Sequence, residues 1–209
     1  MSLSRVRREY RGPLLSESRA PAAPLPLLRD WLRAAMRLAE PNAMTLATLD
    51  ARGRPRARMV LLKHVDARGL TFFTNLRSDK GRELARRRDA ALVMWWPQLH
   101  RQARIEGRVS RVSAREADDY FATRPRGAQL GAWASPQSQV VASRRALEEA
   151  MARVRDRFAG GKVPRPPHWG GLRLAPRLFE FWQGRPDRMH DRLRYTRAGG
   201  RWKRVRLAP

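Results

Sequence analysis

Between Met44 and Ser113 the apolar residues recur at every second position. They do so in five short runs: MTLATLD (44–50), RMVLLKHVD (58–66), LTFFTN (70–75), ALVMWWPQ (91–98) and RQARIEGRVSRVS (101–113). A period of two marks a strand with one buried face. In the fifth run Ala103, Ile105, Gly107 and Val109 share one face, while Gln102, Arg104, Glu106 and Arg108 share the other. The first three runs are joined by turn residues, DARGRP and Asp66-Ala67-Arg68-Gly69, which predict an antiparallel meander.

Helical spacing is confined to the flanks. Leu28, Trp31, Leu32, Ala35 and Leu38 predict a helix over 27–39, with Pro26 in its first turn. A short helix follows from Ser78 to Arg88, capped by Ser78 or Asp79. Another begins near Ala114 and is interrupted at Arg124-Pro125. Leu147, Met151, Val154 and Phe158 mark a helix over 143–158 that Gly160-Gly161 stops. PRPPHWGG (164–171) reads as a rigid loop, RLFEFWQG as a strand, and RLRYTR and RWKRVRLAP as a hairpin about Gly199-Gly200. The expected fold is mainly β with flanking helices (α+β), a small and mostly antiparallel β-barrel, not a doubly wound sheet. Residues 1–26 read as a flexible arm and 27–209 as a single domain.

Composition narrows the function classes. There is no cysteine, so disulfides and thiolate metal sites are excluded. No apolar run reaches membrane length and no secretory segment is visible, so a cytoplasmic protein is expected. The net charge of +26 suggests polyanion binding. The basic residues are almost all Arg and are spread along the chain, which favours coding bias over a dedicated nucleic-acid surface. The chain has no strand–GxGxxG–helix unit and no Walker loop. Its four histidines have no metal-ligand spacing, and no metal is expected.

Anion-binding candidates remain. Arg58 and Lys63 end one apolar run. Strict alternation puts them on opposite faces, so they serve different anions or one lies past a bulge. Ser78, Lys80 and a helix start form a phosphate site or an ordinary cap. Tyr120 and Arg124 share a helix face, and Gln137 and Ser138 add small polar donors. Arg188, His190 and Arg192 fall at every second position. Extended, they would crowd one face and hold His190 neutral unless an anion compensates them.

These blocks occur together in a known order. RREY (7–10), RMVLLK (58–63), FFTNLRSDKG (72–81), RQARIEG (101–107), YFATRPRGAQLGAW (120–133), SPQSQ (135–139), EFWQG (180–184), RMHDR (188–192) and RLAP (206–209) resemble the pyridoxine/pyridoxamine 5′-phosphate oxidases from Arg7 to the C-terminus. The resemblance implies an FMN-binding split β-barrel and a homodimer with FMN at the subunit interface; on hydropathy and the scatter of Arg, neither a membrane nor a nucleic-acid partner is expected. It implies oxidation of pyridoxamine or pyridoxine 5′-phosphate to pyridoxal 5′-phosphate, with hydride passing from substrate C4′ to flavin N5 and O2 reduced to H2O2.

By position, FMN contacts would come from Arg58, Met59, Val60, Leu61, Leu62 and Lys63. Phe73, Thr74, Lys80 and Gln102 would add to them, as would Gln137, Ser138, Trp182 and Arg192. Substrate contacts would come from Lys63, Tyr120 and Arg124, from Arg188, Met189 and His190, and from an arm of Arg7, Arg8, Glu9 and Tyr10. Arg192 and His190 would be the catalytic pair. Two departures stand out: Asp79 where the family usually has Arg, and Ala128 where it usually has Ser. Phenazine-pathway oxidases share the pattern and are the alternative. A non-catalytic, basic nucleic-acid-binding protein and a B6-phosphate carrier are the readings outside catalysis.

Overall fold

Residues 1–209 are described in a computed structural model. The period-two runs are strands: β1 (Ala43–Leu49), β2 (Pro55–Leu61), β3 (His64–Asp66), β4 (Gly69–Asn75), β5 (Asp89–Trp96) and β6 (Arg101–Arg111). β7 (Trp169–Gln183), β8 (Asp191–Ala198) and β9 (Arg201–Leu207) complete a sheet in which every ladder is antiparallel. The order is β2-β1-β5-β6-β7-β4-β3, with β8 and β9 branching from β7. Five helices flank it: α1 (Pro24–Ala35), α2 (Asp79–Arg86), α3 (Ala114–Ala122), α4 (Arg126–Ala134) and α5 (Arg144–Arg157).

The run expected as one strand over 58–66 breaks at Leu62-Lys63. The Leu62 amide donates to Asn42 O, and the next amide, Lys63, donates to Thr71 O, both at 2.8 Å. One extended stretch therefore pairs with β1 by its first half and β4 by its second. This makes the two ends of the strand order, β2 and β3, neighbours along the chain. The expected antiparallel meander holds, with the middle run divided in two: β2 pairs with β1 and β3 with β4. The burial pattern shifts phase there, since Lys63 and His64 are both exposed.

Other boundaries move for local reasons. α1 begins at Pro24 with proline in its first turn, so the expected division after residue 26 falls inside a helix. It ends at Ala35, and Glu40, at φ 48°, turns the chain into β1. Ser78, not Asp79, caps α2, accepting from the Gly81 amide. α3 carries a capping box from Ser113 and Glu116. The helix expected to stop at Arg124-Pro125 does stop, but α4 starts directly after it. β7 begins at Trp169, inside the expected loop, because Gly170 and Gly171 pair with Thr74 and Phe73. A Cβ at Gly171 would lie 2.7 Å from the Phe73 ring, so only glycine lets the strand pass there.

The core lies on one face of the sheet. Met94, Ala103, Phe181 and Leu193 form a cross-strand row and are all fully buried. Trp31 of α1 covers this face, edge-on to Phe181 at 5.1 Å and to Trp96 at 6.3 Å. Burying side chains of this size stabilises the fold by about 2–3 kcal/mol each, so Trp31→Ala would cost about 3–5 kcal/mol. The N-terminal arm has no regular structure, but it is tied down from Gly12 onward. The Leu15 amide donates to Asp191 Oδ2 at 3.0 Å, and the Tyr195 hydroxyl to Pro21 O at 2.9 Å.

Candidate functional site

A cavity of about 620 Å³ opens between β2, β4 and the helices α2 to α4. Of the residues expected to bind ligand, Met59, Val60, Leu61, Lys63, Phe73, Thr74, Lys80, Tyr120, Arg124 and Gln137 line it. Three of the lining side chains are cationic and none is a carboxylate.

Lys80 is the electrostatic centre of one end. It sits in the first turn of α2, 9% exposed. Its Nζ contacts only neutral oxygens, Thr74 Oγ1 at 3.3 Å, Ser78 Oγ at 3.4 Å and Gln137 Oε1 at 3.4 Å. Burial, and then the nearby Arg58 charge, push the Lys80 pKa below that of an ordinary lysine. A buried ammonium without a carboxylate at the start of a helix is suited to a phosphate. Asp79 pairs with Arg82 at 2.6 Å and does not hydrogen-bond Lys80.

At the other end, Phe73 stacks on Tyr120 at 4.0 Å and on Trp169 at 5.4 Å. Arg124, just past the end of α3, lays its guanidinium 4.7 Å over Trp169 and 5.4 Å over Phe121. Its Nη1 is buried with no hydrogen-bond partner, and burial lowers its pKa. Ala128 lies in the same wall.

Other expected residues lie elsewhere. Arg58 donates to Thr48 and to Glu83, 2.7 Å from Glu83 Oε2, and is already neutralised. Leu62 is buried in the core. Ser138 is exposed at φ 69°, one residue beyond the lining Gln137. Gln102, Trp182 and Arg192 occupy one cross-strand row with Trp95, on the face opposite the core. Trp182 and Thr74's partner Gly170 are twelve positions apart on β7, roughly 40 Å of strand. The cluster about Trp182 is thus distinct from the cavity lining.

That cluster is aromatic. Tyr10 meets His100, Trp182 and His190 edge-on, at ring distances of 5.0, 5.5 and 5.6 Å. The Gly12 amide donates to Gly184 O at 3.0 Å, and Arg11's amide to His100 Nδ1 at 3.3 Å, which seats the arm. Arg7, Arg8 and Glu9 are exposed beyond it, as is Met189.

The expected single face of Arg188, His190 and Arg192 does not form. Residues 186–188 make a 3-10 turn with Asp187 at φ 53° and Arg188 at φ 58°, and β8 starts only at Asp191. His190 is nevertheless held towards neutrality. Desolvation is the larger cause and the Arg188 charge the second, and its Nδ1 accepts the Arg185 amide at 3.1 Å. Arg192 is compensated within the protein, where Nε and Nη2 donate to Glu180 Oε1 at 2.9 and 2.8 Å.

Glu180, Glu83, His100 and Trp169 were not singled out by sequence reasoning. Glu180 had a signal, because it lies two residues from Trp182 and so on the same face of β7. Glu83 and His100 act across chain separations that no spacing rule reaches.

The donor set fits FMN and a phosphorylated substrate. Lys80 with the start of α2 offers one phosphate site, and Lys63, Tyr120 and the unpartnered Arg124 offer a second.

Comparison with known proteins gives the same picture. A family profile described as pyridoxamine 5′-phosphate oxidase matches residues 32–158, and one described as the pyridoxine 5′-phosphate oxidase C-terminal dimerisation region matches 169–209. A pyridoxine/pyridoxamine 5′-phosphate oxidase from Thermosynechococcus vestitus is 57% identical over 206 residues, 98% of this chain and 97% of that protein. One from a Cyanothece species is 53% identical over 211 residues, 100% of this chain and 99% of that protein. The crystal structure of PhzG from Burkholderia lata, in complex with tetrahydrophenazine-1-carboxylic acid, superposes with a TM-score of 0.89 at 35% identity, covering 95% of this chain and 99% of that one.

Proposed function

The chain belongs to the pyridoxamine 5′-phosphate oxidase family, and from that premise we propose how its residues carry the reaction. It is an FMN-dependent oxidase that converts pyridoxamine and pyridoxine 5′-phosphates to pyridoxal 5′-phosphate, and it works as a homodimer. The observation that carries the reading of the site is the carboxylate-free cavity with Lys63, Lys80 and Arg124 in its walls.

In this reading Lys80, Thr74 and Gln137 hold the FMN phosphate, with Met59 to Leu61 and Phe73 along the cofactor. Lys63, Tyr120 and Arg124 hold the substrate phosphate. Gln102, Trp182, Arg192, Arg188 and His190 come from the second protomer, because one protomer keeps the cluster about Trp182 apart from its own cavity. Exposed Met59, Leu61 and Trp95 offer apolar surface for that interface. Bound there, FMN supplies the two-electron acceptor, and dioxygen accepts the electrons in turn.

The protein's own part is placement. Neutral His190 accepts at Nδ1, so its proton sits on Nε2, where it can donate to the ionised 3-hydroxyl of the substrate. Tyr10 closes over His190 and Trp182 and excludes water. Arg192 steadies the reacting carbon beside the cofactor. A cytoplasmic location belongs to the same proposal, supported by bacterial relatives and by the lack of any helix long and apolar enough to cross a membrane.

The test is turnover of protein supplied with FMN, comparing pyridoxamine 5′-phosphate with a reduced phenazine carboxylic acid. Formation of pyridoxal 5′-phosphate with the first and no oxidation of the second is expected. The reverse would move the chain to the phenazine side of the fold.

A further inference from the structure

Arg192 is held on three sides. A guanidinium has five N–H donors. Three are used inside the protein: Nε and Nη2 on Glu180 Oε1, at 2.9 and 2.8 Å, and Nη1 on Ala208 O at 2.9 Å. One N–H on each Nη remains free for a ligand, and the plane in which these two point is set by Glu180.

Glu180 is itself immobilised. Its side chain is 6% exposed, and its second oxygen accepts from Arg104 Nη2 at 2.8 Å. Arg104 and Arg194 are its register partners on the neighbouring strands β6 and β8. Arg104 and Arg192 thus share one carboxylate with Arg194 beside it in register; the Arg194 Nε is buried without a hydrogen-bond partner, and the Arg104 Nε lies 3.4 Å from Glu106 Oε1 without hydrogen-bonding it. A β-strand needs no carboxylate here for its ladder. Burying one costs several kcal/mol unless it is fully engaged, which Glu180 is.

We propose that Glu180 is a positioning residue for the oxidation: it fixes the orientation of the Arg192 guanidinium towards the reacting centre, with Arg104 as the brace on its far side. The inference rests on the reading of Arg192 given above. It adds a residue that touches neither substrate nor cofactor, and it makes the C-terminal Ala208 carbonyl the third fixed point of the same guanidinium.

Glu180→Gln keeps the shape of the side chain but halves its acceptors, so Arg104 and Arg192 must compete for one oxygen. In the full-length protein loaded with FMN, reduction by pyridoxamine 5′-phosphate without oxygen should slow about tenfold, the value of one charge-assisted hydrogen bond, while KM stays within about twofold. Arg192→Ala should be slower still. Glu180→Gln combined with Arg192→Ala should be no slower than Arg192→Ala alone, because both act through one guanidinium. Wild-type reduction by Glu180→Gln, or independent additive losses in the double variant, would overturn the proposal. Wild-type reduction by Arg192→Ala would instead overturn the reading of Arg192, and the proposal with it.

A second readout needs no activity. In the FMN-free protein the Arg192 Nε–H should exchange slowly with solvent and become fast in Glu180→Gln. Equal exchange in the two proteins would also overturn the proposal.

Discussion

The Nζ of Lys80 stands 3.4 Å from Oε1 of Gln137, fifty-seven residues further along the chain, and its hydrogen-bond partners are all neutral oxygens. This pair joins α2 to the loop after α4. In the proposed reading it makes one end of the cavity an anion site before any anion binds.

Replacing Lys80 by Met should therefore have opposite effects with and without FMN. The cofactor should bind about 10- to 100-fold more weakly, the value of one or two charged hydrogen bonds. The FMN-free protein should lose no stability, because a desolvated ammonium is removed from a buried position. Fluorescence titration with FMN and thermal melts of both forms check this. A destabilised FMN-free protein with normal affinity would count against the assignment.

In the proposed reading Arg124 carries the substrate end. Its Nη1 is buried and unpartnered, so an incoming phosphate gives it a first hydrogen bond. Arg124→Gln should raise KM for pyridoxamine 5′-phosphate by about tenfold or more and leave kcat within about threefold. Steady-state kinetics at saturating FMN measure this. A fall in kcat at constant KM would place Arg124 in the chemical step instead.

Ala128 lines the same wall without a polar group. Ala128→Ser adds one donor near Arg124 and should lower KM about two- to fivefold, the value of one modest hydrogen bond. An unchanged KM would mean that position 128 does not reach the phosphate.

His190 sets the acid side of the pH dependence. Its folded pKa lies below the ordinary 6.5, chiefly through desolvation. The neutral form is the one that fits, so its contribution to stability is present above 6.5 and is lost as pH falls through the depressed folded value. Protonation also removes the acceptor of the Arg185 amide. The acid limb of kcat/KM should fall below pH 6.5 and vanish in His190→Asn. An acid limb unchanged in that variant would assign the titration to another group.

Gly184 allows the arm to seat. A Cβ there would come within 2.8 Å of Tyr10 and 3.0 Å of His100. Gly184→Ala should displace the arm and raise KM for substrate while FMN affinity stays unchanged. Limited proteolysis should find the first ten residues cut faster in this variant. Equal cleavage rates and an unchanged KM would show that the arm does not close the site.

Much of this was legible in the sequence. The alternating runs placed the strands, and in β6 they gave the buried face correctly, residue by residue. Ser78 and Lys80 were readable as a capped helix start with a cation inside it. Two features were not legible. At Leu62-Lys63 the hydrogen-bond partner changes from Asn42 to Thr71 and the burial pattern shifts phase, with Lys63 and His64 both exposed, which the unbroken apolar stretch Met59 to Leu62 does not reveal. The charge balance of Arg192 depends on Glu180, twelve residues earlier on the neighbouring strand β7, and becomes visible only once the β7–β8 register is known. Counting charges along RMHDR suggested a need for anionic ligands that the fold already meets in part.

The most direct measurement is the visible spectrum of protein supplied with FMN in the absence of oxygen, before and after pyridoxamine 5′-phosphate is added. The account predicts bound flavin that bleaches, with pyridoxal 5′-phosphate formed and the colour restored by air. Bound flavin that stays oxidised in the presence of saturating substrate would contradict it.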